Sequence, residues 1–595
     1  QAILAQATAP CCRGARGSCR GQGMASAEEV REEVKAEEDA VMQDGSGAEG
    51  KAEEGGEAKE STQGEPEAPK EPEKPKELEE DAAADERPRL QAGAVGFRTA
   101  DTTLNVLPVA NGRLLTTLSE GGCQYLLAGT RASAGVRAGR YMFEVKIVEN
   151  LNPSEGQPSN GRTPQPRQLV RVGVSAAGSS LLLADGPGSV CFDSEGFFVH
   201  EKSRKKVSQK FCHGHTVALL LNLDKQSPNA NTVSLFRDGV RISEPQALPE
   251  GLRGKALYPA VTYKNVTLQA HFGPAALQRL PFECRTWASA AEADVELAAP
   301  EESADGRHEV LFPVGLPEQG FFDWVDAFVE KHPAYTELSD RKIVEWASKS
   351  GAWRPKAQAG AGSNDRLDVK FGIPMLDDQS VRRVLSAIAP TQGRNYIIPE
   401  LKSNLVASER KEALLKFSAP NFKKTAVVLM GEPAAEYKEW VHALLLADKK
   451  AKREVEKKKA AQEEERKRLL EEKKKKAEEA RRLKEIAQKK KEGKEVPEEP
   501  KEEEPKEEEK KDDTKAEEEA PVELSEEEKK LWYRKMDTPD LSERTLAKSY
   551  ASFSVPSSEE GFDTISYGWQ AEAACTQLLK SWVLEKKLTQ RAEDL

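Results

Sequence analysis

Short apolar runs separated by turn residues dominate residues 95–290. Runs of strand length, rich in β-branched and aromatic residues, include GRYMFEVKIVE, LVRVGVS, TVALLLNLD, NTVSLFRDGV, LYPAVTY and VTLQAHFG. Many strands at short spacing, with few helical stretches between them, favour an antiparallel β-sandwich.

One of these runs carries a hairpin signal. Asp238-Gly239 supplies the residue pair that a tight two-residue turn prefers. Alternation around the turn predicts Val233, Leu235 and Val240 in the core, with Arg237 and Asp238 at the solvent.

Residues 307–447 change to alternating strand and helix patterns, which is typical of an α/β layer. Buried-strand patterns occur in EVLFPVGLP, RNYIIPEL and TAVVLMGEP. Helical patterns occur in GFFDWVDAFVEKH, SDRKIVEWASK, QSVRRVLSAI, SERKEALLKF and AEYKEWVHALLLADK. The sequence therefore predicts a second, α/β domain behind the sandwich.

The first strand of this domain runs into a turn that spaces Gly315 and Gly320 as a phosphate-binding loop would. In a working loop, Lys and then Ser or Thr follow the second glycine, because Lys reaches the β/γ-phosphates and the hydroxyl holds Mg²⁺. Here those positions are Phe321 and Phe322. The pattern therefore predicts a nucleotide fold without phosphoryl transfer and without a cofactor.

Charge is segregated along the 595 residues, of which 32% are charged and 38% hydrophobic. From Met24 to Leu90 there are 23 Asp/Glu against 9 Lys/Arg. A segment this polar cannot bury enough apolar area to offset chain entropy, so residues 1–94 are predicted to be a disordered acidic region. No apolar run approaches the roughly 20 residues of a membrane helix, and we expect no membrane association.

Eight cysteines are scattered without C-x-x-C pairs. That spacing argues against a disulfide framework or a zinc site and suits a reducing compartment. We interpret His213 and His215 as part of a solvated turn and expect no metal site there.

Residues 448–494 consist of strong helix formers with a large positive excess. They lack an apolar heptad seam, which favours a solitary helix supported by i,i+4 Glu–Lys pairs over a coiled coil. Two interpretations stay open: a solvated spacer, or a contact for nucleic-acid phosphates. The candidate RNA contacts are its basic side chains: Lys457, Lys458, Lys459, Arg466, Lys467, Arg468, Lys473, Lys474, Lys475, Lys476, Arg481 and Arg482.

An acidic linker, 495–524, reverses the sign of the charge, and it could fold back over the basic helix and compete with RNA. Residues 525–595 recover aromatic residues and helical periodicity. They are predicted to form a small helical C-terminal module, with one helix beginning at Thr538-Pro539-Asp540.

The strand motifs of 95–290, in their order, resemble the SPRY domain. VGLP (314–317), RNYI (394–397) and FKKTAVVL (422–429) are similar to the domain that follows SPRY in the heterogeneous nuclear ribonucleoprotein U family, a P-loop domain akin to polynucleotide kinase. Where that family has an acidic residue after RNYI, this chain has Ile-Pro and then Glu400, which could substitute.

The resemblance implies a non-catalytic ribonucleoprotein-type scaffold. SPRY domains bind protein ligands through their loops, here 150–168 and 176–189; the partner is not identified by sequence. RNA contact through the basic helix and a nuclear location, with a cytoplasmic one possible, are further expectations. The alternatives are a SPRY adaptor without nucleic-acid binding and a residual nucleotide-binding enzyme.

Overall fold

A computed structural model describes residues 77–593 apart from 92, 111, 154–165, 202, 299–305, 353–361, 367–369, 378 and 492–522. At helix positions 479, 482–491 and 588–593 it describes the backbone alone. Residues 1–76 of the predicted disordered region lie outside the described residues, as do residues 495–522 of the acidic linker.

The N-terminal half folds into strands that belong to two packed sheets. In chain order they are β1 (Phe97–Thr102), β2 (Val106–Val109), β3 (Leu114–Thr117), β4 (Ala128–Ala132), β5 (Ala134–Val136), β6 (Arg140–Asn150), β7 (Leu169–Ala176), β8 (Ser189–Asp193), β9 (Phe197–His200), β10 (Ser203–Lys206), β11 (Thr216–Asn222), β12 (Thr232–Arg237), β13 (Val240–Arg241), β14 (Gln246–Ala247), β15 (Leu257–Lys264), β16 (Val266–His271), β17 (Arg285–Thr286) and β18 (Val295–Leu297).

One sheet has the order β1-β4-β15-β7-β8-β9-β10, and the other β13-β12-β11-β6-β16-β3-β2. Their ladders are antiparallel except for the short β6–β17 pair. The predicted β-sandwich is thereby confirmed. We call residues 95–297 the sandwich.

Strand β11 shows why its sequence is hydrophobic at nearly every position. Val217, Leu219 and Leu221 face the core between the sheets, while Ala218 and Leu220 pack under Phe282 on the opposite face. Both faces of the strand are therefore buried, and its sequence does not alternate between apolar and polar residues.

The Asp238-Gly239 turn forms as predicted, with positive φ at both residues. Val233 and Leu235 are buried. The prediction for Val240 is wrong, because this side chain is 66% exposed. Val240 pairs with Arg237 across the hairpin, and cross-strand partners share a face, so Val240 lies on the solvent side.

The boundary of the acidic region at residue 94 also needs correction. Glu79 is buried against the sandwich, where Arg140 and Asn222 both donate hydrogen bonds of 3.0 Å to Oε2. Arg87 makes a bidentate pair with Asp294, at 2.8 and 2.9 Å. These charge-assisted contacts hold the segment from residue 77 onward on the sandwich, although its composition resembles that of the preceding tract.

The second domain contains a parallel sheet of order β20-β21-β19-β22-β23. Its strands are β19 (His308–Gly315), β20 (Tyr335–Glu337), β21 (Asn395–Ile397), β22 (Phe422–Leu429) and β23 (Thr564–Tyr567). The helices are α1 (Phe321–Lys331), α2 (Asp340–Lys349), α3 (Pro374–Asp377), α4 (Ser380–Ile388), α5 (Leu401–Leu405), α6 (Ala407–Lys416), α7 (Ala435–Lys491), α8 (Glu543–Ser549) and α9 (Glu572–Glu593).

The C-terminal residues are not a separate helical module, contrary to the prediction. Residues 564–567 pair in parallel with 425–428 of β22 and extend the sheet. Leu579 and Trp582 of α9 share one core with Val314 and Phe321. Sequence periodicity could not reveal this, because the pairing joins strands more than 130 residues apart.

The charged helix is not an independent element either. It continues without a break from the last predicted helix of the α/β domain, and together they form α7. The chain returns near the point of departure: Arg534 lies 3.6 Å from Asp448, and Lys449 pairs with Glu528 at 2.7 Å. The basic helix is therefore part of an insertion between β22 and β23.

The sandwich and the α/β domain share a hydrophobic cluster. Leu104, Tyr125 and Leu126 of the sandwich pack with Ile343 and Val381 of the α/β domain. Trp346 Nε1 donates to the Leu127 carbonyl at 2.7 Å, and the Leu127 amide donates to Ser350 Oγ at 2.9 Å. The two predicted domains therefore form one continuous body.

Arg410 ties α6 to the C-terminal residues. Its side chain is fully buried, and its Nε and Nη2 each lie 2.6 Å from a carboxylate oxygen of Glu560. The remaining Nη1 protons go to the carbonyls of Asn404 and Ser554. A buried guanidinium with all its donors satisfied is stabilising only while the carboxylate is present.

We predict that Glu560→Gln destabilises the α/β domain by about 3 kcal/mol, because it leaves the Arg410 charge buried without a counter-charge. Amide hydrogen exchange of β22 and β23 in the full chain should accelerate roughly 100-fold. Glu559→Gln is the matched control, since Glu559 is exposed, and it should change exchange little. Equal exchange in the two variants would show that the pair does not hold the C-terminal strand.

Candidate functional site

The turn between β19 and α1, residues 316–320, joins the strand to the helix that the sequence predicts after it. We call it the glycine turn. Gly320 is the N-cap of α1 and adopts a left-handed conformation with φ of 77°. A Cβ at Gly315 would lie 2.9 Å from the ring of Phe321, so strand and helix approach closely here.

Phe321 and Phe322 begin helix α1 and point into the core. Their side chains are 1% and 8% exposed, and their rings pack edge to face at 5.0 Å. Val314, Val325 and Val428 surround them. Neither position supplies a cation or a hydroxyl to the mouth of the turn, and both supply apolar packing.

The mouth of the turn is covered by residues 531–541, which we call the covering segment. A Cβ added at Gly320 would lie 2.6 Å from Tyr533 Cβ, so the segment sits directly on the glycine. Arg534 Nε pairs with Asp323 Oδ1 at 2.6 Å, and its backbone amide donates to Asp323 Oδ2 at 2.8 Å. These contacts hold the segment on the first turn of α1.

Asp540 completes the cover with a reciprocal pair of hydrogen bonds. The Glu318 amide donates to Asp540 Oδ2 at 2.7 Å, and the Asp540 amide donates to Glu318 Oε1 at 2.5 Å. Burial raises the pKa of Asp540, opposed by hydrogen bonds from Asn364 and Glu318. The Asp540 carboxylate thus accepts a hydrogen bond from a backbone amide of the glycine turn.

The predicted helix start at Thr538-Pro539-Asp540 is wrong, because Asp540 is bonded to Glu318 and does not begin a helix. Helix α8 begins at Glu543, capped by the Ser542 side chain. Asp540 instead serves the glycine turn more than 200 residues earlier, a contact for which the sequence carries no local signal.

Glu400 follows β21 and is the N-cap residue of α5. It forms an ion pair with Arg382, which also binds Asp340 at 2.9 Å. Asp340 is buried, and burial raises its pKa. Because Arg382 already bridges both carboxylates, Glu400 is a member of a paired cluster and is not an open acid facing the glycine turn.

Asp365 was not anticipated from the sequence. It lies in a Gly- and Ser-rich loop, yet it accepts hydrogen bonds from the amides of Leu401 at 2.5 Å and Lys402 at 3.2 Å. Burial raises its pKa to about 7, against the effect of the two amides. Asp365 therefore caps the N-terminus of α5 from a distant loop.

Every described side chain from Glu454 to Glu478 of α7 is exposed. The predicted i,i+4 support is present in the pairs Lys467–Glu463, Arg468–Glu464 and Lys476–Glu472. Leu469 and Leu470 are about half exposed, so they form no seam with another described element. The side chain of Arg482 lies outside the described residues.

Of the two loops proposed for partner binding, residues 154–165 lie outside the described part. The loop 176–189 packs on its own sheet, where the Leu183 amide donates to Thr262 Oγ1 at 2.8 Å. Its Asp185 also pairs with Lys349 of the α/β domain at 2.8 Å. Part of that loop is therefore used within the chain.

The described residues contain no cluster of His, Cys, Asp or Glu suited to a metal ion. Cys212 and His215 are neighbours, with the Cys212 amide donating to His215 Nδ1 at 3.0 Å. Among the described helices, none combines the length and apolar character needed to cross a membrane.

No protein-family model matches the chain. It is similar to heterogeneous nuclear ribonucleoprotein U-like protein 2 of Mus musculus, at 25% identity over 312 residues, and of Homo sapiens, at 24% over 310 residues. The match covers 51% of this chain and 38% of each relative, so the chain aligns with well under half the length of those proteins.

Among solved structures, the SPRY domain of human HERC1 matches with 20% identity and a TM-score of 0.22. It covers 30% of this chain and 97% of its own. A second human SPRY domain matches with 18% identity and a TM-score of 0.21, over 31% of this chain and 99% of its own.

We predict that Gly320→Ala loosens the covering segment. The new Cβ would meet Tyr533 and would force a left-handed backbone on alanine, which costs about 1–2 kcal/mol. Trypsin should cleave after Arg534 and Lys535 at least ~10-fold faster than in the unmodified chain, through a more populated open form.

Gly372→Ala is the matched control, because Gly372 has φ of 69° and open space where its Cβ would be. It carries the backbone strain without the collision. If both variants are cleaved at the same rate, contact with Tyr533 does not retain the segment.

Proposed function

We propose that this chain is a non-catalytic scaffold of the ribonucleoprotein type. The sandwich, as a SPRY-like domain, binds a protein ligand, and the basic part of α7 contacts RNA. The observation that carries the proposal is the long, exposed, positively charged helix, anchored at one end in a domain whose glycine turn is covered. Similarity to nuclear ribonucleoprotein U-like proteins supports a nuclear location.

The α/β domain supports the scaffold without performing phosphoryl transfer. Phosphoryl transfer depends on positioning and on cations that neutralise developing charge. At the glycine turn, buried phenyl rings stand at the positions of Lys and Ser/Thr, and Tyr533 and Asp540 occupy the mouth. A degenerate P-loop domain kept for its surfaces is the interpretation that fits these contacts.

We therefore expect no ATP binding in an equilibrium titration of the full chain to millimolar ATP with Mg²⁺. A carboxylate at the Glu318 amide repels the phosphate that would need the same donor. Saturable, Mg²⁺-dependent binding would instead favour a residual nucleotide-binding enzyme.

RNA contact is tested most directly on the four consecutive lysines 473–476. Replacing them with Gln should weaken binding to single-stranded RNA and lower the salt dependence, by up to ~0.7 in the slope of log K against log salt per lost phosphate contact. The matched control is Lys→Arg at the same four positions, which keeps the charge and should keep the slope.

An adaptor without nucleic-acid binding is the second candidate, favoured by the ion pairs that neutralise part of the helix internally. It predicts that the intact chain retains RNA only at background level and that deletion of 449–494 leaves this level unchanged. Retention that is clear in the intact chain and unchanged by the deletion would place the RNA contact elsewhere.

A further inference from the structure

The basic segment, residues 449–491 of α7, presents a solvent-exposed helix surface along its described side chains from Glu454 to Glu478. It holds 20 Lys/Arg against 10 Glu, a net charge of +10. Its described side chains from 454 to 478 are all exposed, and its intrahelical ion pairs leave a large positive excess. A surface of this kind attracts an extended polyanion of comparable length.

The chain supplies such a polyanion. Residues 492–522, which lie outside the described part, contain 15 Asp/Glu against 6 Lys, a net charge of −9. The two charges are nearly equal and opposite, and the two segments are adjacent in sequence.

The described residues on either side of this acidic segment belong to the helix or contact it. It leaves from the C-terminus of α7 at Lys491 and returns beside the base of the basic segment. There, Lys449 Nζ donates to the Glu523 carbonyl at 3.1 Å and pairs with Glu528. At 1.5 Å per residue, the distance from Lys491 back to Lys449 is roughly 60 Å.

The number of residues in the segment limits how it can connect Lys491 to Glu523. A flexible chain of that many residues has a root-mean-square span of roughly 30 Å, and full extension reaches roughly 110 Å. The segment must therefore cover about twice its unconstrained span while both ends stay on the helix. A connection of this length, joined at Lys491 and Glu523, would raise the local concentration of carboxylates at the basic side chains.

We propose that residues 492–522 dock antiparallel along the basic segment of α7 and compete there with RNA. The docking follows from length and charge alone; the competition rests on the proposed RNA contact. It would make the scaffold selective for polyanions that outcompete an internal one.

Docking is tested by zero-length carboxyl–amine crosslinking of the full chain, mapped by mass spectrometry. We expect intramolecular links between lysines 473–476 and glutamates in 498–509, reduced strongly in 1 M salt, where the screening length is about 3 Å. Replacement of Glu by Gln at 498, 499, 502, 503, 504, 507, 508 and 509 should abolish them. The control, Lys→Gln at 501, 506, 510 and 511, should retain them, because it leaves every carboxylate in place.

Competition is tested on the same variants by RNA binding at fixed salt. The Glu→Gln variant should bind single-stranded RNA at least ~10-fold more tightly than the unmodified chain, and the Lys→Gln control no more tightly. Absence of the crosslinks overturns the docking whatever the RNA result. Crosslinks with unchanged RNA affinity overturn the competition, and failure of every variant to bind RNA overturns the proposed RNA contact while the crosslinks still decide the docking.

Discussion

The parallel pairing of β23 with β22 is the contact on which the architecture of the second domain depends. It brings the chain back to the sheet after an excursion of more than 130 residues. With β23 in place, Glu560 reaches the buried Arg410 and α9 covers the strand β19 and helix α1. Removing the return would expose that core and leave Arg410 charged and unpaired.

The same return explains why the glycine turn is covered at Gly320. On its way back to β23, the chain passes over the N-terminus of α1, where Tyr533 rests on Gly320 and Asp540 binds the Glu318 amide. The N-terminus of a helix attracts negative charge. In this molecule an internal carboxylate meets that preference, and Arg534 balances the acidic side chains of α1 nearby.

The basic segment of α7 begins next to the same returning residues. Arg534 with Asp448, and Lys449 with Glu528, join the outgoing helix to the returning chain. The base is thus held by contacts from both directions, while the described side chains further along the helix are exposed. In the described residues, the α/β domain thus carries a long basic helix, which is the surface on which the proposed RNA contact depends.

Local patterns in the sequence determined the sandwich strands, the Asp238-Gly239 hairpin, the β19–α1 turn and the helical character of the basic segment. These depend on periodicity, turn residues and helix propensity, which act over a few residues. The burial of Phe321 and Phe322 also agrees with their apolar character. Tertiary structure alone decided that β23 joins the sheet, that Asp540 and Asp365 bind distant backbone amides, that Glu400 is paired with Arg382, and that Val240 is exposed. Each of those outcomes depends on which distant segments come into contact. The residues adjacent to a charged or apolar side chain do not indicate which distant residue it will contact.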